Sequence, residues 1–225
     1  MATSVRTLGD AERRRNPRWL WAALIALCVI GAIAVAGRIA MLASPPRGGP
    51  VEMAAINGLF TQAKGLTLVH VITALLFVAA VPFYFMRRLR ESLPESHRRI
   101  GSALIVLGGV LGVTALIMSI RIPISANASA ATILYGCFFL FSLVRAIWLR
   151  RIGDLALHEE WMMRAIGIAL GVATTRPIMG VFFATSRLTG LGPHEFFGIA
   201  FWIGFTVTYI GTEAWIRVRR EAIVT

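Results

Sequence analysis

The sequence predicts an all-α membrane protein, a bundle of six transmembrane helices, and three observations carry that prediction. The 225 residues are 57% hydrophobic and only 15% charged, with a mean hydropathy of +0.73, outside the range of soluble globular domains. Six apolar runs are each long enough, at about 20 residues, to cross a hydrocarbon core about 30 Å thick with every backbone polar group satisfied inside the helix. Arginines gather on one side of those runs, as the positive-inside rule expects of a multi-pass chain.

The runs are 20–42, 66–86, 101–120, 128–149, 162–185 and 196–216. They define a transmembrane domain over 20–216, between a basic tail at 1–19 and a short tail at 217–225. Arg13, Arg14 and Arg15 precede the first run, as they would a secretory signal. Its apolar stretch is too long for one and no small-x-small cleavage site follows, so a retained span is expected. Between the first two runs, Ser44 to Pro50 (Ser-Pro-Pro-Arg-Gly-Gly-Pro) cannot be helical. The mildly apolar stretch 51–60 is expected to lie along the membrane surface or to cap the bundle. The other connections are short, so successive spans pack antiparallel. Gly108 with Gly112, and Gly167 with Gly171, have the small-x-x-x-small spacing of close helix contacts, which nominates spans three and five as central.

Charge fixes the expected orientation. Arg6, Arg13 to Arg15 and Arg18 lie before span one, Arg87 to Arg99 between spans two and three, Arg145 to Arg164 around the loop after span four, and Arg217 to Arg220 after span six. The other side has Arg38, Arg47, Lys64, Arg121 and Arg187. The crowded side is expected to be cytoplasmic, with both termini there, in a bacterial inner membrane. Trp19, Trp21, Trp148, Trp161 and Trp215 fall at the same span ends, at headgroup depth. The net charge of +12 therefore reads as a topology signal and an attraction to anionic lipid, and no nucleic-acid partner is expected. Cys28 and Cys137 lie inside apolar runs, far from disulfide or zinc spacing, and read as small buried or lipid-facing side chains.

Charged groups at membrane depth cost several kcal/mol unless they pair, snorkel or line a wet cavity. Arg145, Glu213, Arg38 and Arg121 sit near span ends, where snorkelling accounts for them. Arg176 differs, lying about 14 residues, roughly 21 Å, beyond Met162 at the rise of an α-helix. Pro177 follows it and Thr174 and Thr175 precede it. A helix kinked there frees backbone carbonyls, and the site suits an anion or a headgroup.

Four histidines complete the polar set. His70 and His194 fall near the outer ends of their spans, His97 and His158 near the inner ends. An outer and an inner pair is the layout a two-haem cytochrome requires, with arginines available for the propionates. The competing reading of each is an interfacial hydrogen-bonding residue. No nucleophile elbow, Walker loop or His-Glu-x-x-His is present, so no catalytic residue is nominated.

His97-Arg98-Arg99-Ile100-Gly101 opens one span, and His158-Glu159-Glu160-Trp161-Met162-Met163-Arg164 opens another about sixty residues later. These elements resemble a family of bacterial multi-pass membrane proteins classed as a domain of unknown function. The resemblance covers about residues 66–185. His70 matches the family's early helical histidine, and Arg176 a further arginine after the Trp-Met element. The family commonly carries basic residues where this chain has Glu159 and Glu160, which argues against an anion site at that loop. A more distant likeness is to small membrane proteins that assist assembly of haem-copper oxidases.

Three functional readings follow. In the first, the bundle is an assembly or scaffold factor acting on another membrane protein. In the second, it binds or passes on haem b through His70, His97 and His158, with Arg164 or Arg176 holding the carboxylates. In the third, it is a transporter or lipid-interacting protein with an anion site at Arg176.

Overall fold

A computed structural model describes residues 18–44 and 51–224. Most of the basic tail and the Pro-Pro-Arg-Gly-Gly-Pro stretch lie outside the described residues. The helices are α1 (Arg18–Ala43), α2 (Val51–Gln62), α3 (Lys64–Phe85), α4 (Arg87–Ser92), α5 (Pro94–Arg121), α6 (Ala126–Arg151), α7 (Leu155–Thr189) and α8 (Pro193–Val224). All but α2 and α4 are long and apolar enough to span a membrane, which makes six spans among the described residues.

Three helices run beyond their apolar runs, because local signals continue them into the interface. Pro94 stands in the first turn of α5, where its missing N–H costs nothing. The Asp154 carboxylate accepts from the Leu157 N–H at 3.1 Å and starts α7 seven residues before the apolar run. The last helix continues through the expected tail to Val224.

Five spans form a ring. α1 packs on α3, α3 on α5, α5 on α6, α6 on α7, and α7 back on α1. α8 stands outside it, against α6 and α7. Of the two glycine pairs, the one in α7 marks the central helix: α7 touches α1, α6 and α8 and is the most buried span. A Cβ on Gly171 would stand 2.6 Å from the Phe205 ring of α8. The α5 pair lets that helix sit close on α6, where a Cβ on Gly112 would stand 2.5 Å from Leu140; α5 is a wall of the ring and no more central than α3. In lipid such close packing matters more than interhelical hydrogen bonds, which average about 0.6 kcal/mol. Midway along the α7–α8 seam the Thr208 hydroxyl donates to the Thr174 hydroxyl at 2.7 Å.

The ring is not filled evenly. Phe77, Val81, Leu104, Phe139, Leu143, Ala146, Met162 and Ile166 close it toward the end that carries most of the arginines, here called the arginine-rich end. Toward the opposite end a cavity remains, and α2 caps it. Fully buried Ile56 anchors this cap against Met179, Phe196, Phe197 and Ala200, so of the two expectations for 51–60, capping is what the chain does.

Candidate functional site

The cavity occupies about 240 Å³. Its walls are largely apolar, with Phe60, Phe77, Phe139, Phe201 and Phe205 supplying aromatic surface. Three nitrogenous side chains enter it: Arg38 from α1, His70 from α3 and Arg176 from α7. No Asp or Glu lines it among the described residues.

Each of the three is held differently. Arg38 donates from Nη1 to the Asn57 Oδ1 at 3.0 Å, and its guanidinium lies 3.9 Å from the centre of the Phe60 ring. The capping helix thus positions it, and snorkelling is not its role. His70 and Thr114 meet at 2.9 Å between Nδ1 and Oγ1. The Thr114 hydroxyl already donates to the Val110 carbonyl at 2.7 Å, so it accepts from His70. Nδ1 therefore carries the proton, and Nε2 is the free nitrogen, an acceptor on neutral imidazole and a donor when protonated.

Arg176 has no such support: its Nε is buried without a hydrogen-bond partner, and the positive charge of Arg38 acts on the same space. The helix runs on through Pro177 to Thr189. Having no N–H, Pro177 leaves the carbonyl four residues earlier, that of Ala173 in the cavity wall, without its helical bond. Thr175 turns its hydroxyl back to the Val172 carbonyl at 2.6 Å, away from the guanidinium.

The remaining candidates gather elsewhere. Arg164 pairs with Glu213 at 2.6 Å and Glu160 at 3.6 Å and lies over the Trp161 ring. Glu213, read from the sequence as snorkelling, is a fixed counter-ion. Glu159 binds Arg90 at 3.1 Å and Arg219 at 3.5 Å, and Glu160 also binds Arg220. Here Glu159 and Glu160 neutralise neighbouring arginines. His97 stacks on Tyr84 with ring centres 4.9 Å apart, and both its Nδ1 and the Tyr84 hydroxyl are buried without partners. His158 donates from Nδ1 to the Ala146 carbonyl at 2.8 Å.

Bis-histidine ligation requires two imidazoles facing one another across a porphyrin. The cavity receives one histidine. His194 instead bonds the Ile124 carbonyl at 2.6 Å and ties α8 to the α5–α6 loop. At the arginine-rich end His97 is covered by Tyr84, while His158 is turned to a backbone carbonyl. The structure thus brings His70 and Arg176 together and separates them from His97, His158 and Arg164. It adds Arg38 to the cavity, which the sequence did not nominate. A position at the end of span one signalled snorkelling, and only the fold of α2 over it reveals a partner. Cys28 is buried and Cys137 exposed, both as free thiols.

Six spans around an internal cationic cavity make this a polytopic helical membrane protein. The chain belongs to the family described as predicted membrane protein (DUF2306), a domain of unknown function whose family model matches residues 67–216. The match passes beyond the 66–185 resemblance and takes in α8. No curated protein and no solved structure matches the chain.

Proposed function

We propose that this protein binds a small organic anion, an aryl or short-chain carboxylate or sulfonate, in the cavity under α2. The observation that supports it is Arg176, whose Nε is buried at membrane depth without a hydrogen-bond partner, in a cavity with no carboxylate among the described residues. Such a charge costs several kcal/mol unless something offsets it. An incoming anion does so, and its apolar body suits the phenylalanine walls. At about 240 Å³ the cavity is below the roughly 300–1,000 Å³ of pockets for drug-sized ligands, which favours a compact ligand over a macrocycle or a phospholipid. In our reading the protein lies in a bacterial inner membrane, with its arginine-rich end toward the cytoplasm.

The test uses purified protein in mild detergent and benzenesulfonate, which stays ionised at neutral pH. Ligand at about 100 times its dissociation constant stabilises the fold by about 2.7 kcal/mol. The rise in unfolding temperature should fall by about half or more in Arg176→Leu and should be absent with neutral benzyl alcohol. Equal stabilisation by the alcohol, or none by the anion, refutes the reading.

A further inference from the structure

A second recess opens on the other side of the α1–α7 seam. It is a groove of about 540 Å³ between α1 and α8, floored by α7, running to the arginine-rich end. On α1 the groove takes positions between 19 and 27 and the cavity takes positions between 31 and 38. Together they follow about 28 Å of helix at 1.5 Å per residue, close to the full hydrocarbon thickness of about 30 Å. One residue of α7, Leu170, lines both recesses, and it is buried, with 4% of its surface exposed.

The chemistry of the groove continues that of the cavity. The Thr174 and Thr208 hydroxyls line it at mid-depth. At its mouth stand Arg87, Arg90 and Arg219, with Glu159 the one carboxylate among its described lining residues. Both recesses therefore carry an excess of positive charge, and a thin apolar septum at Leu170 divides them. Of the six spans α1 is the least buried, so it is the wall that moves at least cost.

We propose that the chain carries its small organic anion across the membrane, from the cavity to the groove, by displacement of α1 from α7 at the Leu170 septum. This rests on the anion-binding reading above and adds translocation to it. The ligand is released at a mouth whose arginines are partly neutralised by Glu159. It leaves a site where Arg38 and Arg176 have no carboxylate among the described lining residues, so the track runs from stronger to weaker electrostatic hold.

The seam offers a lock. A Cβ on Gly31 would stand 3.8 Å from the Ala173 Cβ, the separation typical of a disulfide, about 3.8 Å. Full-length protein with Gly31→Cys and Ala173→Cys, in a Cys28→Ala, Cys137→Ala background, is reconstituted into liposomes. Benzenesulfonate uptake and benzenesulfonate binding are then measured, oxidised and reduced. Oxidation should cut uptake about ten-fold and leave the dissociation constant within about two-fold, with uptake restored by reductant, as expected when one wall must rock to change access. If the double-cysteine protein does not fold, Gly211→Trp serves, because Gly211 lines the groove and not the cavity and has open space beside it, with the same loss of uptake and retained binding. Binding without uptake in the unlocked protein, or uptake indifferent to the lock, overturns translocation and leaves the binding site standing. Absence of benzenesulfonate binding refutes the underlying reading.

Discussion

Arg164 and Arg176 lie on one helix, about 18 Å apart along its axis, and the protein treats them in opposite ways. Arg164 is enclosed by two carboxylates and an indole. Arg176 faces a cavity with a buried nitrogen left unpaired. The first arrangement is complete without any ligand and holds α8 onto α7. The second is incomplete as it stands, and a charge at membrane depth is costly unless it pairs, snorkels or lines a wet cavity. In our reading the difference separates a structural arginine from a ligand-binding one when sequence and depth do not.

Several substitutions break or sharpen this contrast. Glu213→Ala leaves Arg164 short of a counter-ion, and we expect a loss of about 3 kcal/mol of stability, read by unfolding in mixed micelles; replacing both partners by Met and Leu should restore most of it. A single-variant loss below about 0.5 kcal/mol would put Arg164 in the class of weak surface pairs and erase the contrast. Arg176→Leu should keep or raise stability while costing about 2 kcal/mol of binding, a fall of roughly 10- to 100-fold in benzenesulfonate affinity; a destabilised variant would make Arg176 structural too. Thr114→Val removes the acceptor that orients His70 and should cost about 1 kcal/mol, measured as a shift in the unfolding midpoint. Smallest is Asn57→Ala, which removes the hydrogen bond from Arg38 to α2 and leaves the Phe60 contact. With membrane hydrogen bonds averaging about 0.6 kcal/mol, it should change affinity about two- to three-fold in direct titration.

What the sequence disclosed, and what it hid, follows the same line. Span number is a property of single stretches of chain, so the six spans were readable. Facing is a property of two stretches. Arg164 and Glu213 are 49 residues apart and Arg220 and Glu160 are 60 apart; nothing in either local pattern points to the other. The histidines illustrate the gap. Their depths gave an outer and an inner pair, but the rotation of each helix turned His194 to a loop carbonyl and His158 to Ala146. Arg38 was overlooked because its partners, Asn57 and Phe60, lie on a helix whose cap over the bundle depends on Ile56 finding Phe196 and Met179.

Ring closure between α1 and α7 also sets a schedule for biogenesis. About 110 residues separate the end of α1 from the start of α7, and at 5–20 residues per second the ribosome takes roughly 5–20 s to make them. Throughout that interval α1 has α2 and α3 to lean on and an open flank toward lipid where α7 will dock. The contact that closes the ring is thus the last of its five to become possible as the chain is made.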